Sequence, residues 1–163
     1  MASSNIKMLG KTSNNAYSDE CYTPESAILP LLPFLDKDKT YYEATSGKSS
    51  NIVNCLTENG VHIVGSDGRD FFGDTDTHDG IITNPPYSKK DKFIEKCYSL
   101  GKPFALLLPV SSMQGQRRGR MFMENGIELL VLNKRVDFTG KGSPHFGVAW
   151  FCKDILPNNL MFR

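Results

Sequence analysis

The stretch Asp79-Gly80-Ile81-Ile82-Thr83-Asn84-Pro85-Pro86-Tyr87 decides how the rest of this sequence is read. Gly80–Thr83 is small, β-branched and apolar, and reads as a short buried strand. It stops at an amide, two prolines and an aromatic ring. The prolines hold the backbone rigid and leave carbonyl oxygens without local amide partners. A helix follows over 88–100: Ser88 and Asp91 have the spacing of a capping box, Phe93, Ile94 and Cys97 make an apolar stripe, and Gly101 with Pro103 ends it. Strand, rigid loop and helix in that order are the ingredients of an α/β sheet.

Working outward, the same alternation recurs. Thr40–Ala44, Val61–Gly65, Phe104–Leu108, Ile127–Leu132 and Gly147–Cys152 are further strand candidates, the last of them the final strand. Phe104–Leu108 is continuously apolar, as expected for a strand covered on both faces. Thr23 can cap a short helix with Pro24 in its first position and Ala27, Ile28, Leu31 and Leu32 inward, until Pro30 and Pro33 stop it. Asn51–Asn59 reads as a helix with Ile52, Val53, Cys55 and Leu56 inward and Gly60 as its stop, and 113–125 as a weaker one. The pattern predicts a mostly parallel sheet. Ligands of such sheets bind beyond the carboxyl ends of the strands, here after Ala44, Gly65, Thr83 and Leu108.

With 163 residues, 39% of them apolar, the chain has material for one core, expected over 19–163 behind a polar, loose arm at 1–18. Its apolar runs are too short to span a bilayer, and the first eighteen residues hold no apolar stretch of signal-peptide length. Cys21, Cys55, Cys97 and Cys152 are scattered, without a CxxC pair or a His at ligand spacing. They read as free thiols in a reducing compartment, with no metal expected. His62, His78 and His145 likewise read as structural or exposed. Membrane, secreted and zinc-ribbon classes are thereby set aside.

The net charge of +1 conceals an asymmetry. Residues 1–83 hold six Lys/Arg against twelve Asp/Glu, and residues 84–163 hold thirteen against six. A basic second half suits a polyanion, and an acidic first half a cationic or hydroxyl-bearing small ligand. Solvated charged faces are the plain alternative. In the tetrad itself, the Asn84 side-chain carbonyl is an acceptor and Tyr87 a flat stacking surface, a cup for a planar group bearing an NH2. Here too a plain strand-to-helix turn is the competing reading, since Asn and Pro are ordinary turn residues.

Asn84-Pro85-Pro86-Tyr87 resembles the Asn/Asp-Pro-Pro-Tyr signature of S-adenosylmethionine-dependent amino-methyltransferases, chiefly adenine-N6 enzymes. Glu43-Ala44-Thr45-Ser46-Gly47-Lys48-Ser49 is similar to that family's first cofactor loop, Asp67 to its ribose-binding acid, Asp70-Phe71-Phe72 to the segment gripping the cofactor's adenine, and Tyr22-Thr23-Pro24 to the element beside the methionine end. The overall look, from Cys21 to Lys153, is that of small phage or bacterial DNA adenine methyltransferases. The chain departs from the family loop at Ala44 and Ser49, where Pro and a second Gly are usual.

The resemblance implies a Rossmann-like class I methyltransferase fold: seven strands, mostly parallel with the last antiparallel, and helices on both faces. It implies S-adenosyl-L-methionine as cofactor, S-adenosyl-L-homocysteine as product, and the N6 amine of adenine in DNA as acceptor. RNA adenine, a protein glutamine amide, or a non-catalytic cofactor-binding subunit are the alternatives. Asn84, Pro85, Pro86 and Tyr87 would be catalytic, and Tyr22, Thr23, Glu43, Gly47, Asp67, Asp70, Phe71 and Asn84 would hold the cofactor. The chemistry of these residues agrees. Gly47 permits close backbone approach, and the helix start that follows favours a carboxylate. Glu43 can meet an ammonium, Asp67 can accept from two vicinal hydroxyls, and Asp70 can accept from an amine while Phe71 supplies an apolar wall. Alternatively both aspartates merely cap turns. Gly47-Lys48-Ser49 also imitates the tail of a phosphate-binding Walker loop, but the first glycine of that motif would fall on Tyr42.

Basic clusters follow the tetrad: Lys89, Lys90 and Lys92, then Arg117, Arg118 and Arg120, then Lys134, Arg135 and Lys141. They can track a phosphate backbone. Arg135-Val136-Asp137-Phe138 resembles a family element that offers an aromatic to the target base, so Lys89, Arg117, Arg118, Arg135 and Phe138 are the candidate substrate contacts. Thirteen residues separate Asp70 from Asn84 and ten follow Lys153, so no separate recognition domain is expected, and a protein partner could supply specificity. The expected location is the cytoplasm of a bacterium or phage-infected host.

Overall fold

The computed structural model describes residues 23–47, 49–73, 78–140, 142 and 146–163. The expected arm at 1–18, Tyr22, Lys48, Lys141 and His145 lie outside them.

Apolar alternation along the strands builds two cores, one on each face of the sheet. In β4 (Phe104–Pro109), Ala105 and Leu107 face one core while Phe104, Leu106 and Leu108 face the other. In β6 (Val148–Lys153), Val148, Trp150 and Cys152 join the first core, and Ala149 and Phe151 the second. Both strands are therefore apolar as far as Leu108 and Cys152, as a strand buried on both faces must be. β1 (Thr40–Glu43) and β3 (Gly80–Thr83) divide likewise, Tyr41 and Ile82 to the first core, Tyr42 and Ile81 to the second.

Helices cover both faces. Over the first lie the short α1 (Glu25–Ile28), the 3-10 turns of Leu29–Phe34 and α2 (Asn51–Glu58), contributing Ala27, Ile28, Leu31, Ile52, Cys55 and Leu56. Over the second lie α3 (Lys90–Leu100), with Phe93, Ile94 and Cys97, and α4 (Gln116–Asn125), with Met121 and Phe122. Trp150 donates its indole N–H to the Ala27 carbonyl at 2.7 Å, fastening α1 to the middle of the sheet. Burial pushes the Cys97 and Cys152 thiols well above their ordinary range, so they act as small apolar groups.

The sheet has seven strands in the order β2-β1-β3-β4-β6-β5-β7, with β2 at His62–Gly65, β5 at Glu128–Val131 and β7 at Leu160–Phe162. β6 runs antiparallel to both of its neighbours, β4 and β5, and every other pairing is parallel. The strand read from sequence as final is thus the antiparallel one, and one more short strand follows it. Glu128 makes that return possible: its carboxylate accepts from the backbone amides of Asp154, Ile155 and Leu156, folding the turn that brings β7 beside β5.

Three local expectations are corrected. β2 is an edge strand with alternate residues exposed rather than a buried one. Ser88 does not cap α3: the chain enters through a 3-10 turn, Tyr87–Lys89, and no side chain caps the helix at Lys89. Thr23 does not cap α1 either, for the capping position falls on Pro24 without a side-chain bond. Gly101 ends α3 as expected, at φ +64°, a left-handed conformation that glycine adopts freely, and Ser50, not singled out in the sequence, caps α2 by accepting from the Val53 amide. No helix among the described residues is long and apolar enough to cross a membrane.

Candidate functional site

Parallel pairing brings the carboxyl ends of β2, β1 and β3 side by side: Glu43 stands opposite Gly65, and Tyr42 opposite Ile81. The loops leaving Glu43, Gly65 and Thr83 therefore meet at one sheet edge, and the segment after β4 joins them.

The first two loops are joined by Ser46, within the quoted cofactor-loop segment, and Ser66, which carried no signal in the sequence. Ser66 donates its hydroxyl to the Ser46 carbonyl at 2.9 Å, the two hydroxyls lie 3.1 Å apart, and Ser46 Oγ accepts from the Asp67 amide at 3.2 Å. Gly65 leaves room for this contact, since a Cβ there would sit 2.5 Å from Ser46 Oγ and displace it. The contact turns the backbone sharply. Asp67 has φ +49°, a conformation that Asp tolerates better than most residues, and its side chain is exposed at the end of β2. Gly47 lies half-buried in the neighbouring loop.

Glu43 is fully buried. Its Oε1 accepts a short hydrogen bond from the Thr83 hydroxyl and others from the Thr45 amide (3.1 Å) and hydroxyl (3.3 Å). The acid at the end of β1 is thus part of a buried polar network that ties the first loop to the end of β3. Thr45 and Thr83, to which sequence reading assigned no separate role, complete it, with hydroxyls 2.8 Å apart.

Asn84 sits at the end of β3, 4% exposed. Its main-chain carbonyl lies 3.3 Å from the Thr45 hydroxyl, whose one proton is shared between it and Glu43 Oε1, and its side-chain Nδ2 donates to Thr23 Oγ1 at 3.0 Å. Among the described residues no donor reaches its Oδ1. Pro85 is buried, Pro86 half-buried, and the half-buried Tyr87 ring meets Phe146 edge-on, centroids 6.1 Å apart. Phe138 instead packs, partly buried, against the first core.

Asp70 is exposed and its Oδ1 accepts from the Phe72 amide at 3.1 Å, so it caps its own turn. Phe71 is buried and stacks on Phe93 at 5.2 Å, which makes it a core ring, whereas Phe72 is 38% exposed. The basic residues also part company. Lys89, Arg117 and Arg135 are exposed, and Arg117 pairs with Glu95 at 2.5 Å. Arg118 is mostly buried: it pairs with Asp91 at 2.7 Å and donates to the carbonyls of Ser112 and Gln114, pinning the segment after β4 to α3.

The seven-stranded sheet with one reversed strand between β4 and β5, helices on both faces, and polar loops at one edge has a counterpart among solved structures. A candidate class I S-adenosylmethionine-dependent methyltransferase of Listeria monocytogenes superposes with a TM-score of 0.57 over 86% of this chain. The fold is the Rossmann-like class I methyltransferase fold. Identity across that superposition is 14%, and this chain spans 64% of the Listeria protein. A predicted O-methyltransferase of Agrobacterium tumefaciens matches at a TM-score of 0.44 and 12% identity, over 85% of this chain and 84% of its own. No family model and no curated protein matches the sequence.

An exposed carboxylate at Asp67, a half-buried glycine at Gly47 and a buried amide at Asn84 stand on three adjacent strand ends, giving acceptors for hydroxyl and amine groups in one row.

Proposed function

We propose that this chain transfers a methyl group from S-adenosyl-L-methionine to the exocyclic N6 amine of an adenine in DNA. The observation that carries the reading is Asn84. Its amide is buried at the end of β3, its Nδ2 is engaged, and its Oδ1 lacks a donor among the described residues. A carbonyl oxygen in that state keeps both lone pairs open to an NH2 donor arriving from outside.

The cofactor supplies an already electrophilic methyl on a sulfonium, so the protein's contribution is positioning and electrostatics. Asp67 would hold the ribose hydroxyls and Gly47 would let the backbone approach the methionine end. Asn84 Oδ1 and the Pro85 carbonyl would accept the two amine protons, turning the nitrogen lone pair outward. Tyr87 would stack on the base, a contact worth about 1–3 kcal/mol. A paired adenine hides its amine, so the base must leave the duplex first.

Charge placement favours a polyanionic acceptor. The segments carrying Lys89, Arg117 and Lys134–Arg135 leave β3, β4 and β5 at the same sheet edge as Asn84. Labelled methyl transfer to DNA, RNA and protein in parallel, with Asn84→Ala as control, tests the reading. Transfer to DNA adenine that falls at least about tenfold in the variant, the size of a lost transition-state contact, supports it. Transfer to RNA or protein alone, or to none, overturns it.

A further inference from the structure

We infer that Phe146 is a positioning residue: its ring restrains the ring of Tyr87 before an acceptor base stacks there, and it acts through Tyr87 rather than on the base itself. The inference rests on the methyl-transfer reading. A half-buried tyrosine turns about two side-chain bonds, and the freedom it gives up on stacking costs free energy. A neighbour that restrains the ring beforehand removes part of that cost.

The two rings come from opposite faces of the sheet. Tyr87 packs against the second core and Phe146 against the first. They meet beyond the strand ends, centroids 6.1 Å apart and planes at 79°, an edge-to-face geometry that aromatic pairs favour. Both carriers are held by their backbones. The Tyr87 carbonyl accepts from the Lys90 amide, and from the Lys90 ammonium at 3.1 Å, at the start of α3. Phe146 is separated from β6 by Gly147 alone, and the Gly147 carbonyl accepts from the Val110 amide at 2.9 Å, which ties it to the segment after β4. The contact restrains Tyr87 whichever ring presents its edge. Phe138, the aromatic that resemblance offered to the base, lies against the first core, and among the described ring pairs Tyr87 meets Phe146 instead.

The test is a double-mutant cycle on the full chain. Phe146→Leu keeps an apolar side chain over the first core and removes the ring, and Phe146→Tyr restores a ring. In the otherwise wild-type chain, Phe146→Leu should lower kcat/KM on DNA about three- to tenfold, the scale of one aromatic pair, with the cofactor Kd by calorimetry unchanged. Phe146→Tyr should recover most of the loss. In a Tyr87→Ala background the same Phe146→Leu change should leave kcat/KM unaltered, because a residue that acts through Tyr87 then has nothing to hold. Independently of any variant, the ring protons of Tyr87 and Phe146 should show mutual cross-relaxation by NMR in the wild-type chain. Full kcat/KM in Phe146→Leu, an equal loss in both backgrounds, a loss of cofactor affinity matching the loss of kcat/KM, or absent cross-relaxation would each overturn this inference alone. A wild-type chain that methylates nothing overturns the functional reading and this inference with it.

Discussion

Glu43 accepts the hydroxyl proton of Thr83, 40 positions away on the neighbouring strand, and so couples the end of β1 to the end of β3 inside the protein. Thr45 closes the network from the first loop. Replacing Thr83 by Val keeps the strand's shape but removes one donor from a buried carboxylate oxygen. The expected loss is about 1–3 kcal/mol of stability, measured by denaturant unfolding, with Thr83→Ser close to wild type.

Asp67 serves two ends at once, a left-handed turn and a carboxylate at the surface. Asp67→Asn should preserve the turn, since Asn also tolerates positive φ, and Asp67→Ala should strain it. Both should weaken S-adenosyl-L-methionine binding by about 1–3 kcal/mol, the cost of losing charged hydrogen bonds. Calorimetry reads the affinity and thermal unfolding separates it from the turn. Unchanged affinity in Asp67→Asn would move the ribose site elsewhere.

Arg117 and Arg118 are neighbours in sequence with different duties. Arg118→Ala should destabilise the fold by about 1–3 kcal/mol, because it strips partners from Asp91 and from two carbonyls. Arg117→Ala should cost under about 1 kcal/mol, as exposed ion pairs do. On DNA, Arg117→Ala should weaken binding equally across sequences and reduce the log–log salt slope by about 0.9. Titrations at several salt concentrations, beside melting curves, would show an unaltered slope if Arg117 touches no phosphate.

Asp137 organises the segment after β5, accepting from the Thr139 hydroxyl (2.8 Å) and amide and from the amides of Gly140 and Gly142. These bonds, the Thr139 hydroxyl foremost and the Gly142 amide next, hold its carboxyl below the usual carboxylate range. A group whose folded pKa is depressed contributes stability above its unfolded value and loses it as pH falls through the folded one. The loop should therefore loosen only below the ordinary Asp range, and Asp137→Asn should abolish that acid transition. NMR titration of the Thr139, Gly140 and Gly142 amides follows it; a transition at the ordinary Asp value would contradict the assignment.

Much of the fold was legible because strands covered on both faces leave an unmistakable apolar run. Gly80–Thr83 matches its expected limits residue for residue, and β4 extends its expected span by one. Helix ends read less well where a cap competes with a distant partner. Asp91 has capping-box spacing from Ser88, yet it pairs with Arg118, 27 positions on. β7 escaped notice because three residues carry no periodicity, and its place depends on Glu128 gathering three amides from the turn before it.

The site divides in the same way. Local chemistry sufficed to single out Asn84-Pro85-Pro86-Tyr87, since a rigid, donor-poor turn after a buried strand is written in consecutive residues. Sequence by itself therefore determined the α/β class, the strand ends that lie at one sheet edge and the residue types found there. Only the tertiary structure decided what each of them touches. It buried Glu43 beneath its own loop, turned Phe71 into the core, drew Arg118 into an ion pair and brought Thr23 to Asn84. Hydrogen bonds and ring contacts act over a few ångströms, and the chain separations they close, from 22 to 61 positions here, leave no periodic trace in a single sequence.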